Sequence, residues 1–390
     1  MRRLNAGRTD RTHGTEGTDR GERGRPRWRT VLLSATCLGL ACAAVLTALV
    51  ATDGGSGGTE PRAGRPQAAG GTDTDVLAAG DGCGGNDPAH PEASEPAAEN
   101  AGLAVREIQE RGKLIVGIDV NSYLWGYRDP SSGRIMGFDI DLVQAIAASI
   151  LGTDDPAVTY LAIPTNQREE AILEGTVDMV VRTMSITCTR RENGIDFSTA
   201  YFSTGQQMLV PAGSPVTGFD GTLQGRRVCV AAGSSAAGLF GVADEGAGIV
   251  DVPDGTAVEG TDFASEDLSA LVVPNHLDCL VRLQLGEADA LVTDQALALG
   301  HIAQDRGMRM VGQPLGREYY GVAMARGKND LVGWVNSVLE EYRAGGSASD
   351  WRAAYDTWLA DAVGQGTRRD GERAEVPDFP STPPDPLYRE

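Results

Sequence analysis

The stretch RTMSITCTRRENGIDFS, Arg182 to Ser198, sets three arginines, a cysteine and a run of hydroxyls into seventeen residues of a chain whose formal net charge is −20. A solvated charge run explains this poorly. The apolar VDMVV leads into Arg182 and QQMLVP follows, so the stretch leaves one buried strand before another begins. Polar groups at such strand ends are where α/β proteins hold ligands. Thr183 and Ser185 leave the strand together, Thr187 follows, and TRREN opens a helical turn. Hydroxyls, N–H donors at a helix start and one guanidinium fork would receive a carboxylate. Arg190 or Arg191 could supply the fork, and composition does not choose between them.

Three further places carry polar groups of the right kind. In VAAGSSAAGLF, Gly233, Ser234 and Ser235 fall between a strand and a helix as a second nest of N–H donors, without the spacing of a nucleotide loop. Asp119 and Asn121 end the first buried strand in GIDVNSYLWGY. That acid either caps a turn or faces a cleft beside Tyr123, Trp125 and Tyr127, whose common parity would put them on one face; core packing is the commoner use of such a row. Asp294 ends DALVTD at another strand edge, and with Asp119 it would neutralise an ammonium. Anion and cation sites together describe a zwitterion.

The chain has no GxSxG elbow and no HExxH, and its four histidines, His13, His90, His276 and His301, are scattered. Neither catalysis, a cofactor nor a metal is called for, and His276 and His301 are expected to be surface or packing residues. The acidic balance argues against a nucleic acid partner.

Strands and helices must alternate to position these residues. LIVGID and VTYLAI read as strands, and GFDIDLVQAIAASI as a helix with Asp139 as its cap. TNQREEAILEG is a helix opened by Thr165, with Glu169 and Glu170 on its solvated side, and VDMVVRT is another strand. RRVCVA, a short Gly/Ser-opened helix, IVDV, a helix around HLDCLVRLQLG, the strand ADALVTD, the helix QALALGHIAQ and MRMVG continue the series. Such alternation predicts parallel sheets covered on both sides, in an α/β fold of two lobes. GQQMLVPAG and GREYYGVAMARG would pass between the lobes as hinges, and the helices NDLVGWVNSVLEEYRAGG and DWRAAYDTWLA would return to the first. Lobe 1 is therefore expected over 101–211 and 316–360, and lobe 2 over 212–315.

The ends differ in composition. Residues 1–30 carry nine arginines against four acids without apolar periodicity and read as a disordered cytoplasmic tail. Val31 to Ala51 is uncharged and long enough to cross a bilayer, which places the rest of the chain outside a cell membrane. A cleaved signal peptide competes with this anchor, and a lipid on Cys42 is a third version; all export the remainder. Residues 52–100 read as a Gly/Pro/Ala-rich tether and 361–390 as a disordered tail. Beyond the apolar stretch, Cys83, Cys188, Cys229 and Cys279 suit two disulfides outside a cell. Cys229 in a strand of the second half is expected to join Cys279 in a helix covering it, which leaves Cys83 for Cys188.

Taken in order, GKLIVGIDVNS, GFDIDLVQAIAASILG, EGTVDMVVRTMSITCTRRENGIDFSTAYF, LQGRRVCVAAGSS, LGEADALVTDQAL and YYGVAMARGKNDLVGWVNSVLEEYRAGG resemble the polar amino acid-binding proteins of ABC importers. These are the family 3 extracellular solute-binding proteins. The resemblance spans about 108 to 360 and is nearest the actinobacterial glutamine/glutamate-binding branch. It implies a type II periplasmic-binding-protein-like receptor with two hinge strands that closes on a free glutamate, glutamine or aspartate and delivers it to permease subunits. An alternative is a sensor whose basic tail reports to an intracellular signalling partner. Matched by motif, Arg190 would grip the α-carboxylate with Thr183 and Ser185 beside it, and Ser234 and Ser235 would touch the same end from the opposite lobe. Asp294 would hold the α-ammonium, and Asp119 matches the acid at the end of the first strand. Arg182 departs from the small residue of many relatives, and on this reading reaches a ligand side-chain carboxylate or carbonyl.

Overall fold

The computed structural model describes residue 83 and residues 87–243, 246–364 and 379–389. The expectations for 1–30, for the apolar stretch 31–51 and for most of 52–86 lie outside these. Among the described residues no helix is long and apolar enough to cross a membrane.

Along the chain, α1 (Leu103–Arg111) leads into β1 (Leu114–Ile118). Three short strands follow, β2 (Asn121–Ser122), β3 (Gly126–Arg128) and β4 (Ile135–Met136), and then α2 (Phe138–Leu151) and β5 (Val158–Ala162). Next come α3 (Arg168–Leu173), β6 (Met179–Val180), α4 (Cys188–Glu192), β7 (Ile195–Phe197) and the long β8 (Phe202–Pro211). The second series is β9 (Arg227–Ala231), α5 (Ser235–Leu239), β10 (Gly248–Asp251), β11 (Ser269–Val273), α6 (His276–Gln284), β12 (Ala290–Asp294), α7 (Gln295–Gln304) and β13 (Met308–Tyr320). The chain ends with β14 (Ala323–Ala325), α8 (Asn329–Arg343), α9 (Asp350–Trp358) and α10 (Ala360–Gly364).

Two main sheets result, ordered β5-β1-β6-β14-β7 and β10-β11-β9-β12-β8-β13. Residue parity explains how each is covered on both faces. Leu114, Val116 and Ile118 of β1 join α1, α2, α8 and α9 in one core, while Ile115 packs with Ile172 and Phe197 on the other face. In β9, Val228 and Val230 face one core and Cys229 the opposite one. The final helices return to the first sheet as expected. The paired strands β8 and β13 belong to the second sheet, and the pairing extends to Phe202↔Tyr320, beside the first.

Several expectations need correcting. The sheets are mixed, because β10, β8, β13 and β14 run antiparallel to neighbours wherever the chain doubles back. The inner strand β11 gives little signal in the sequence, since SALVV offers only five residues between polar stretches. Asp139 does not cap α2: the cap position is Gly137 at φ 134°, and Asp139 is 1% exposed, accepting from Tyr201 Oη (2.9 Å) and the Thr183 N–H (3.0 Å). Residues 87–100 are not a free tether over their length. Ser94 is buried, donates to Phe197 O at 2.7 Å and accepts from Asn336 Nδ2 at 2.9 Å. Residues 379–389 do not trail free either, for the Ser94 and Arg389 N–H groups bond Leu387 O and Ser94 O, and Arg389 pairs with Glu95 and Asp196. Low apolar content hid this docking, which is made largely by backbone and arginine. Cys83 is joined to Cys188 and Cys229 to Cys279.

Candidate functional site

The polar residues singled out above collect where strands of the two sheets end. Asp119 follows β1, Arg182 follows β6, Gly233 follows β9, Asn275 follows β11 and Asp294 closes β12, the carboxyl ends at which α/β sheets bind ligands. Thr183, at φ +43° and 4% exposed, turns the chain sharply here.

Arg182 is matched within the protein. Its side chain is 0% exposed; Nη2 lies 3.0 Å from Asp119 Oδ2 and donates to Asn275 Oδ1 (3.2 Å), while Nη1 donates to Thr165 Oγ1 (3.0 Å). It is a strut between the sheets. Asp119 is engaged in the same way, accepting also from the N–H groups of Val120 and Asn121 and from Ser122 Oγ, so it closes a turn, the first of the two uses its position allowed. Trp125 is core: its ring packs edge-on against Phe202 at 4.8 Å, and Nε1 donates to Ala296 O at 2.9 Å. Asn121 and Tyr123 are half-buried, and their side chains make no hydrogen bond to the arginine cluster among the described residues.

Of the two arginines left open by the sequence, Arg191 turns away and Arg190 turns in. Arg191 donates to Pro91 O and Ala93 O, pairs with Asp196 and lies over the Phe197 ring. Arg190 is 6% exposed, donating through Nη1 to Ser185 O (2.5 Å) and through Nη2 to Gly233 O (3.0 Å). Glu169, expected to be solvated, lies 3.4 Å from Arg190 Nε. Thr187 caps α4, accepting from the Arg190 N–H.

Sequence reasoning missed Arg168. It is 3% exposed at the start of α3, and its Nη2 donates to the same Gly233 carbonyl at 3.1 Å. Among the described residues no carboxylate lies within ion-pair distance of it. Burial, with Arg190 and Arg182 beside it, pushes Arg168 well below the usual guanidinium range. It sits in TNQREE, where it reads as one more charge on an amphipathic helix; only the packing of α3 turns it inward.

The second half of the site is acidic. Asp294 is 6% exposed and accepts from Tyr320 Oη and Gln206 Nε2, both at 2.5 Å. Glu318 on β13 accepts from Ser185 Oγ (2.5 Å), Ser235 Oγ (2.8 Å) and Gln206 Nε2 (2.6 Å). Every one of these donors is neutral. Burial, then the neighbouring Glu318, pushes Asp294 up to about 7. Ser234 caps α5, accepting from the Ala237 N–H and donating to Ala231 O. Glu318 and Gln206 lie in the hinge strands, where alternation with apolar neighbours gave no signal of a site. His276 and His301 are buried packing residues: burial holds His276 well below its ordinary value and takes His301 down to about 4, so both are neutral.

A buried guanidinium wall thus meets an acidic pair across a three-residue loop, Gly233 to Ser235, that bonds both. No group of residues suited to a metal occurs among the described residues. Comparison with known proteins puts this geometry in context. The model of the bacterial extracellular solute-binding proteins, family 3, matches residues 114–361. The ABC transporter glutamine-binding protein GlnH of Bacillus subtilis is 28% identical over 252 residues, covering 65% of this chain and 83% of its own. The glutamate-binding protein GluB of Corynebacterium efficiens is 28% identical over 248 residues, 61% of this chain and 76% of its own. Among solved structures, an ancestral arginine-binding protein bound to glutamine has a TM-score of 0.52 at 29% identity, covering 64% of this chain and 98% of that one. A solute receptor for L-cysteine from Neisseria gonorrhoeae, at 22% identity, shares the fold with a TM-score of 0.57 over 69% of this chain and 98% of its own. The fold is the two-lobed type II arrangement with two hinge strands.

Proposed function

Because the chain belongs to the bacterial extracellular solute-binding proteins of family 3, we propose that it captures a polar or acidic amino acid outside the cell by lobe closure and delivers it to the permease subunits of an ABC importer. The lobes, built on the β5-β1-β6-β14-β7 and the β10-β11-β9-β12-β8-β13 sheets, close about β8 and β13, so the boundaries expected at 211 and 316 fall within the hinge strands. The observation that carries this reading is a set of buried charges of opposite sign held apart: among the described residues Arg168 has no carboxylate within ion-pair distance, and Asp294 and Glu318 are hydrogen-bonded by neutral donors. Buried charges cost several kcal/mol unless paired, so such a site favours a ligand bearing both signs. A free amino acid does.

On this reading Arg190 and Arg168 exchange the Gly233 carbonyl for the ligand carboxylates, with Thr183, Ser185, Ser234 and Ser235 lining the same place, and Asp294 takes the ammonium. Two inward guanidinium groups favour glutamate, glutamine or aspartate over a basic ligand. Relatives at 28% identity bear the names of glutamine-binding and glutamate-binding proteins. The apolar Val31 to Ala51 stretch would hold the receptor near its importer and raise its effective concentration there.

Calorimetric titration of the full chain, purified in detergent and stripped of copurified ligand, against the proteinogenic amino acids tests this. Glutamate, glutamine or aspartate should bind with Kd near 1 μM or tighter, about 8 kcal/mol. Arg190→Ala should weaken all binding by about thirtyfold or more, the consequence of about 2 kcal/mol or more lost with a buried charged partner. Preference for lysine or arginine would overturn the specificity, and silence towards every amino acid the function.

A further inference from the structure

The side chain of Gln206 is in a chemically awkward position. It lies on β8 with Asp294 of β12 as its register partner on one side and β13 on the other, and it is 2% exposed. Its amide nitrogen has three acceptors around it: Asp294 Oδ1 at 2.5 Å, Glu318 Oε1 at 2.6 Å and Ser235 Oγ at 3.1 Å. An amide nitrogen has only two hydrogens to give. Ser235 cannot reverse roles, because its hydroxyl hydrogen goes to Glu318 Oε2 at 2.8 Å. The other end of the amide fares no better, for Gln206 Oε1 is buried without a hydrogen-bond partner. Turning the amide over would satisfy that oxygen no better, since it would then face two carboxylates.

The acceptors have the number and charge that a primary ammonium needs. A tetrahedral –NH3+ carries three donors and a full positive charge, so it would satisfy Asp294, Glu318 and Ser235 together and neutralise carboxylates that have no cation within ion-pair distance among the described residues. From this juxtaposition we infer that Glu318 is a second carboxylate of the ligand's ammonium site, and that Gln206 holds that position as an internal stand-in which the ligand displaces. The inference rests on the amino acid-receptor reading and deepens it. It makes a free α-ammonium a condition of tight binding. It also gives β13 a direct part in recognition, because Glu318 is held from lobe 1 by Ser185 and from lobe 2 by Ser235, and an ammonium placed on it would draw both lobes to the hinge strand.

The test is Glu318→Gln in the full chain, read in two ways. With a neutral carboxamide at 318, the new side-chain oxygen can still accept from the Gln206 amide while one of two neighbouring buried carboxylates is removed, so the ligand-free protein should melt at an unchanged or higher temperature. Affinity for glutamine or glutamate, whichever the unaltered protein binds more tightly, should fall by about tenfold to a hundredfold. A merely structural Glu318 would lose melting temperature and affinity together, and a solvated one would lose neither; either result overturns the inference. Gln206→Met, which keeps the length and removes the competing donor, provides the second arm. It should tighten binding by about threefold or more, whereas a weakening would show that Gln206 assists the ligand and would overturn its role as a stand-in. Should the unaltered protein bind no amino acid, the receptor reading itself fails, which is distinguishable from a bound wild type with an indifferent Glu318→Gln.

Discussion

At the scale of single residues, chemical type and position in the fold part company at the arginines. Arg182, Arg190 and Arg191 lie within ten residues, yet one is a strut, one faces the acceptor loop and one is tied to the terminal segments. The strut can be tested. Arg182→Ala would strand the Asp119 carboxylate, which is 4% exposed, without its cation, and breaking a buried pair costs about 3–5 kcal/mol. The expected outcome is a large drop in the chemical-denaturation midpoint, with glutamate and glutamine affected in the same proportion. A selective loss of glutamate would instead place Arg182 against a ligand side chain. That selectivity is what the family resemblance implied, because an arginine standing where many relatives carry a small residue beside a binding motif reads as a contact. Full burial against Asp119, Thr165 and Asn275 gives it another use.

At the scale of elements, the short helix α4 matters most, since it is only five residues long and carries Arg190. So short a helix has little stability of its own. Its position is fixed by the Thr187 cap, by Arg191 reaching Pro91 O and Ala93 O, and by the Cys83–Cys188 disulfide at its first residue. Cys188→Ser should therefore weaken amino acid binding by about threefold to tenfold through a less ordered Arg190, and lower the melting temperature, because a cross-link of this kind contributes about 2–4 kcal/mol. Non-reducing peptide mapping with titration on the same preparation checks it. Unchanged affinity in a chain shown to lack the link would separate the disulfide from the site. The pairing of cysteines was legible from their number and placement, whereas the docking of residues 87–100 and 379–389 was not, since neither segment has periodicity.

For the whole molecule, the buried acids set a pH dependence. Asp139 beneath the Thr183 turn and Asp294 at the end of β12 are each pushed up to about 7 from the ordinary aspartate value of 3.8, chiefly by burial. A folded value above the unfolded one means a contribution fully present below 3.8 and lost as pH rises through about 7. His301, held down to about 4, works the other way and withdraws stability only as pH falls below the ordinary 6.5. The ligand-free chain should accordingly melt at lower temperature at pH 8 than at pH 6.5, and a saturating amino acid should reduce that difference by supplying Asp294 with a cation. A melting temperature that climbs steadily across this interval in the ligand-free protein would contradict the assignment.

The amino-acid sequence by itself determined the local chemistry and most of the elements. Alternation along LIVGID and RRVCVA, the hydroxyls around Arg190 and the acid ending DALVTD all rest on neighbours a few positions away, so the two-lobed class could be read directly and a zwitterion site proposed. Which charges are spent and which are left over was decided by the tertiary structure. Whether Arg168 points inward, whether Arg182 is already matched by Asp119, and whether Glu318 meets Gln206 depend on partners distant along the chain, 65 residues for Arg168 and Gly233 and 112 for Gln206 and Glu318. Ion pairing and burial act through space between elements that periodicity describes only one at a time.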